Sequence, residues 1–340
     1  MKTVYFKPIA DFADTNSIVN ATYDMLKKLK KDEGLKLPET MPLKVHFGEM
    51  GNDTYIKPAN FAGVKKFLKE NNVNTCYIET NVLYMGSRTH TEDHLKTAAA
   101  HGFIDLPVVI ADADANNPYN EIEINKKYFK TCKIGKCYAD YSGFMVLAHF
   151  KGHMFAGYGG AIKQLGMGFA SRSGKLNQHS QNVPLILKNK CIACGTCVKK
   201  CPVNAISLQG KAVIDPKKCI GCAYCSEVCP VAAIENDWGG SNFLEKLAEY
   251  AYAAALNKNN IYINFAGDIT KECDCMGIHM KPVAKNIGVL VGTDPVAVDT
   301  ATLDLLDKQE NKKMFARGRT TLAYAESIGL GSSKYKLITI

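Results

Sequence analysis

The most constraining feature of this chain is a cysteine repeat. Eight of its 13 cysteines lie between Cys191 and Cys229. A shift of 28 residues maps Cys191, Cys194, Cys197, Cys201 and Pro202 onto Cys219, Cys222, Cys225, Cys229 and Pro230. The apolar tails Val203–Ile206 and Val231–Ile234 map onto each other as well, so a duplicated short unit is the economical reading. Each copy reads C-x2-C-x2-C-x3-C-P. Three thiolates at that spacing wrap one face of an iron–sulfur cube, and the fourth, before Pro, turns away to ligate the other cube. The pattern therefore predicts two [4Fe–4S] clusters. Cys191, Cys194, Cys197 and Cys229 hold one; Cys219, Cys222, Cys225 and Cys201 hold the other. Gly195 and Gly221 relieve crowding where backbone passes close to sulfide. Structural zinc fits less well, because it usually takes two separated C-x2-C pairs.

The rest of the chain is long enough to bury a core without disulfide staples: there are 340 residues, 46 % hydrophobic and 22 % charged. No run of about 18 apolar residues occurs, so no membrane span is expected. The opening MKTVYFKPIADFADTN lacks a secretory apolar region, and a cytoplasmic protein is expected. In that setting many cysteines suggest metal before disulfides. The net charge of +9 is spread out, and no nucleic-acid partner is expected from it.

Short apolar strands alternate with helices on both sides of the repeat. Strands are expected at Leu43–Phe47, Thr75–Glu79, Pro107–Ala111, Phe144–His149, Ile261–Phe265 and Ile287–Val291. Helices are expected at Ser17–Lys31, Asn60–Glu70, Thr91–Ala100 and Phe243–Leu256. A further helix opens at Asp294-Pro295, an N-cap followed by proline in the first turn. This alternation predicts an α/β fold: one discontinuous α/β domain, residues 1–185 and 238–340, interrupted by a small α+β insert over 186–237.

Before the insert lies a glycine-rich run from His149 to Gly168. It fits neither a dinucleotide fingerprint, which would need glycine at Ile162, nor a phosphate loop, which would need glycine at Phe169. What remains is a flexible backbone carrying Lys151, His153, Lys163 and Arg172, with Lys175 and His179 close behind. The cations Lys163 and Arg172 suit an anionic group, and His153 or His179 suits proton transfer. The pairs His90/His94 and His149/His153 have i, i+4 spacing, a weak metal signal. Of the remaining cysteines, Cys76 reads as a buried thiol, and Cys132 and Cys137 as structural. The run Glu272-Cys273-Asp274-Cys275-Met276-Gly277 follows a strand and a Gly267-Asp268 turn. Ligand sites of open α/β sheets lie beyond the carboxyl ends of strands. Cys273 and Cys275 could there ligate a third metal or cluster, or form an oxidising disulfide.

The insert resembles bacterial two-cluster ferredoxins in all eight ligands and both prolines. The order of motifs over about Lys44 to Leu306 resembles the domain-of-unknown-function family 362, iron–sulfur type. These are His149-Phe-Lys-Gly-His153, Gly157-Tyr-Gly-Gly-Ala-Ile-Lys163, Ser171-Arg-Ser-Gly-Lys175 with His179, the insert, Cys273-Asp-Cys275, and Gly292-Thr-Asp294-Pro-Val-Ala-Val-Asp299. Lys57-Pro58 and Gly86-Ser-Arg88-Thr-His90 look like early motifs of that family. The resemblance implies a cytoplasmic iron–sulfur protein, often of anaerobes, and no particular reaction.

The resulting expectation is an iron–sulfur oxidoreductase. Two [4Fe–4S] clusters would pass single electrons to a site of His153, Lys163, His179, Arg172, Cys273 and Cys275, reducing an anionic substrate. An external donor or acceptor (flavodoxin, ferredoxin or reductase) would be the partner. The alternatives are an electron carrier without its own catalytic site and a metal-handling or assembly protein.

Overall fold

A computed structural model describes residues 1–113, 119–179, 183–219, 224–235 and 242–340. The chain divides into two compact units: Met1–Ser171 with Leu244–Ile340, and Arg172–Phe243. The second unit thus begins earlier than the 186–237 insert read from sequence, and it takes in Arg172 and His179. Cys222 and Gly221 lie outside the described residues.

The first unit is α/β. Its main sheet has eight strands: β1 (Lys2–Pro8), β2 (Leu43–Lys44), β3 (Tyr77–Glu79), β4 (Val108–Ile110), β5 (Met145–His149), β6 (Ile261–Ala266), β7 (Gly288–Gly292) and β8 (Tyr335–Thr339). Their order across the sheet is β8-β1-β7-β6-β5-β2-β3-β4. β7 pairs antiparallel with both neighbours, and the other pairs are parallel. Apolar side chains alternate between two cores, as strands buried on both faces require. Val4, Val146, Tyr262 and Leu290 pack on one face with the helices Ala161–Gly166, Phe243–Ala255 and Pro295–Glu310. Tyr5, Met145, Ile263 and Val291 pack on the other with helices Thr15–Glu33 and Ala62–Glu70. Among the described residues no helix is long and apolar enough to cross a membrane.

Helix boundaries follow local chemistry. Asp294 Oδ1 accepts from the Ala297 N–H at 2.9 Å, with Pro295 in the first turn. Asp14 caps Thr15–Glu33 in the same way through Ser17, and Gly34, at φ +62°, ends that helix. The glycine-rich run becomes a hairpin, Lys151–His153 with Gly157–Gly159, followed by the short helix Ala161–Gly166. Its glycines meet protein. A Cβ on Gly160 would sit 2.5 Å from Asp299 Oδ1, and Gly157, at φ +80°, lies against the Gly318 backbone.

The second unit keeps the sequence repeat in its backbone. Ile206 pairs with Ile214 and Ile186 with Ile234, both antiparallel. A shift of 28 carries Ile186 to Ile214 and Ile206 to Ile234. The start of each copy therefore pairs with the end of the other. Asp215 N–H to Ala205 O (2.7 Å) and Leu187 N–H to Ala233 O (2.8 Å) repeat this crossing.

Candidate functional site

In the second unit the crossing brings cysteines of both copies together. One pocket is lined by Cys191, Cys194, Cys197 and Cys229, with Leu208 and Ala212 closing it. Asn204 and Ala232, at φ 50° and 47°, are repeat mates in left-handed conformation. The residues that follow, Ala205 and Ala233, each donate a backbone N–H at 3.2 Å to Cys201 and Cys229 Sγ. The N–H groups of Ala212 and Ala193 hold the Cys191 thiol below its ordinary value. The Thr196 hydroxyl and N–H do the same for Cys194. Four soft sulfurs around an apolar pocket, with donors that favour thiolate at Cys191 and Cys194, fit an iron–sulfur cube. Among the described residues no three His, Cys, Asp or Glu side chains could hold one metal ion. A cube's four irons take their thiolates at separate corners, which is a different geometry. His179 stacks on Phe243 at 4.6 Å in this unit.

The first unit assembles its site beyond the carboxyl ends of β2, β3, β5 and β6, which run in one direction. His46 lies just past β2, Glu79 ends β3, His149 and Lys151 follow β5, and the Cys273–Cys275 loop follows β6. Asp274 is fully buried. It accepts from His149 Nδ1 at 2.9 Å, Lys151 Nζ at 2.9 Å and the Thr54 hydroxyl at 3.2 Å. His149 Nε2 faces the Gly267 carbonyl at 2.9 Å, so both ring nitrogens meet acceptors. Burial alone would push the Asp274 carboxyl up; His149 and Lys151 overcome it and hold the group well below the usual range.

Two further buried ion pairs flank this one. Lys44 Nζ lies 2.8 Å from Glu79 Oε1 and 3.1 Å from Gln164 Oε1. Burial pulls its ammonium down to about 8, against the opposing pull of Glu79. Arg88, fully buried, meets Glu49 at 3.3 Å and the Tyr84 hydroxyl. Ser87 also holds Glu49 through its N–H and hydroxyl.

At the centre are the two thiols, both free. Cys273 is buried and Cys275 is half-buried. The Cys275 N–H points at Cys273 Sγ at 3.3 Å, and His46 Nε2 lies 3.5 Å from Cys275 Sγ. His46 Nδ1 accepts from the Gly48 N–H at 3.1 Å, so the ring proton sits on Nε2 and is offered to sulfur. Burial, then Arg88, hold His46 below its ordinary value and keep it neutral. The Cys273 thiol donates to Cys275, which raises Cys273 and lowers Cys275 well below the normal thiol range; Lys163 and His46 add to the lowering. Lys163 is held above its ordinary value: burial opposes this, and Cys273, Cys275 and Asp274 prevail.

Of the residues read from sequence, the structure brings Lys163, Cys273 and Cys275 together. His153 instead turns Nδ1 onto its own loop, accepting from the Phe155 and Ala156 N–H groups at 3.1 Å. Arg172 and His179 belong to the second unit. His94 sits in the core against Phe47 and Asn81, and His90 precedes that helix on the surface. The sequence reading missed His46, Lys44, Glu79, Arg88 and Glu49 as site residues. A signal existed for two of them: Lys44 and His46 are polar residues at alternate positions of an otherwise apolar run, on one face of the extended chain.

Asp274→Asn tests the first ion-pair network. Because the folded carboxyl is depressed, its stabilisation is present above about pH 4 and disappears as pH falls further. The variant leaves Lys151 without its counter-charge and should lose about 3–5 kcal/mol at pH 7. Denaturant unfolding at pH 7 and pH 3 should show the two proteins converging in acid. Equal stability at pH 7 would rule the network out as a stabiliser.

The fold and site define a class: an α/β sheet protein with a buried thiol–cation site at its strand ends and a cysteine-repeat unit within the chain. Residues 42–304 match the family described as Domain of unknown function (DUF362), and the chain belongs to that family. No curated protein matches it. Among solved structures it is similar to a protein of Thermotoga maritima, a structural-genomics target. The identity is 8 % and the TM-score 0.44, over 88 % of this chain and 59 % of that one. The chain therefore spans less than two thirds of that protein's length.

Proposed function

We propose that this is an iron–sulfur redox protein. The second unit holds two [4Fe–4S] clusters, and single electrons pass to the Cys273/Cys275 site of the first. The carrying observation is the pocket where Cys229 of one repeat joins Cys191, Cys194 and Cys197 of the other. It supports the ligand pairing that the spacing predicts. One-electron transfer is the chemistry that such clusters supply when bound. Ala205 and Ala233 turn backbone N–H groups onto Cys201 and Cys229 Sγ at 3.2 Å, as donors to cluster sulfur ligands would lie. In the first unit Lys163 and His46 stabilise negative charge at Cys275, where added electrons would need it. A redox-site reading is favoured over a bare carrier because this charged cluster is buried and centred on thiols.

Anaerobically purified protein is expected to carry about eight irons and eight acid-labile sulfides per chain. Zinc in their place, or iron without sulfide, would overturn the proposal. An external one-electron protein donor or acceptor is the partner that this function requires.

A further inference from the structure

Among the described ion pairs of the first unit's site, cations outnumber carboxylates. Lys44, Arg88, Lys151 and Lys163 face three carboxylates: Glu79, Glu49 and Asp274. His149 turns its ring nitrogens onto Asp274 and the Gly267 carbonyl, both at 2.9 Å. The half-buried Cys275 sulfur receives the His46 Nε2–H at 3.5 Å, and the Cys275 N–H points at Cys273 Sγ at 3.3 Å. Cys273, buried behind it, is the sulfur nearest to hand. Three interlocked loops frame the pair. Met50 N–H reaches Ser87 Oγ at 3.3 Å, Gly51 abuts Gly277, and Glu49 N–H reaches Asp274 O at 2.9 Å. Each loop exposes a methionine: Met50, Met85 and Met276.

We propose that Cys273 and Cys275 form a catalytic dithiol that reduces a disulfide substrate, Cys275 attacking and Cys273 resolving. The Cys275 thiolate displaces R′S⁻ from R–S–S–R′ and forms a mixed disulfide. Cys273 gives its proton to R′S⁻ and attacks the Cys275 sulfur, releasing RS⁻. One disulfide breaks, one forms, and two electrons pass from protein to substrate. The Cys273–Cys275 disulfide returns to thiol plus thiolate by taking two electrons and one proton. Stabilising the thiolate makes that disulfide easy to reduce, and it confines the substrate to disulfides more oxidising still, such as those with a low-pKa leaving thiol. Only this return step rests on the proposed cluster function; the attack does not.

Trypsin leaves both cysteines in one peptide, Glu272–Lys285, with no other cysteine, so each outcome can be read from its mass. The full chain, purified anaerobically with its iron assayed alongside, is treated with one equivalent of 4,4′-dithiodipyridine at pH 6. Two equivalents of thiopyridone and a peptide lighter by two hydrogens are expected. Cys273→Ser should release one equivalent and keep the adduct on Cys275. Cys275→Ser should slow the reaction at least a hundredfold. Lys163→Met should slow it roughly tenfold. A peptide that stays unmodified, an adduct on Cys273 in the wild type, or a metal protecting both thiols would overturn the inference. With about eight irons present, such a failure leaves the cluster proposal standing. A normal peptide reaction in iron-free protein would sink the cluster proposal alone.

Discussion

Cys191→Ala/Cys229→Ala should keep about half the iron and sulfide of the wild type, whereas Cys191→Ala/Cys201→Ala should keep almost none. The two double variants remove the same number of thiols. In the first, both losses fall on one cube, and Cys219, Cys222, Cys225 and Cys201 remain a full ligand set. In the second, neither cube has four thiolates. The expectation rests on the pocket that joins Cys229 to Cys191, Cys194 and Cys197. It rests equally on strand pairing that crosses the copies, Ile186 with Ile234 and Ile206 with Ile214. The single variant Cys191→Ala controls for folding: if it keeps half the iron, the rest of the unit still assembles. Iron and sulfide analysis of all three decides the matter. Reversed retention would mean that each copy ligates its own cluster.

Lys44→Met should destabilise the first unit by about 3–5 kcal/mol, because it takes the buried ammonium partner from the Glu79 carboxylate. Lys44 is fully buried, and Glu79 nearly so. Its ammonium also satisfies the Val45 carbonyl at 2.8 Å and Gln164 Oε1 at 3.1 Å. Methionine fills the space of the stem but offers no donor. For a unit of this size the melting temperature should fall by of order 10 °C. Lys44→Met/Glu79→Leu should recover most of the loss, since removing both charges also removes the desolvation cost. Calorimetry or denaturant unfolding of the four proteins forms the cycle. A single variant within 1 kcal/mol of wild type would mean that water already reaches Glu79.

Much of the architecture was legible because it is set by local chemistry. The Asp294-Pro295 helix start works through a side chain and an N–H three residues on. The helix Thr91–Ala100 appears with the bounds expected of it. The strands at β3, β4, β5, β6 and β7 lie within a residue or two of their apolar runs. The 28-residue repeat is a property of the string, and it carried over into paired hydrogen bonds. The chain-end strands β1 and β8 were not read. They pair with each other in parallel across the length of the chain, and neither has a turn partner nearby to announce it.

The site divides along the same line. Cys273 and Cys275 could be singled out because two thiols follow a strand and a tight turn, a short-range pattern. His153 looked equivalent to the site residues, yet its Nδ1 turns onto its own loop. Lys44, His46, Glu49, Glu79, Arg88 and Lys163 acquire their meaning from one another and from Cys275, across separations of up to 229 residues. A charge in sequence looks solvated until a fold removes its water; then only a partner of opposite charge within a few ångströms makes it tolerable. Spacing along the chain decides which ligands a loop can present. Sheet order, with β2 between β3 and β5, decides which buried charges must meet.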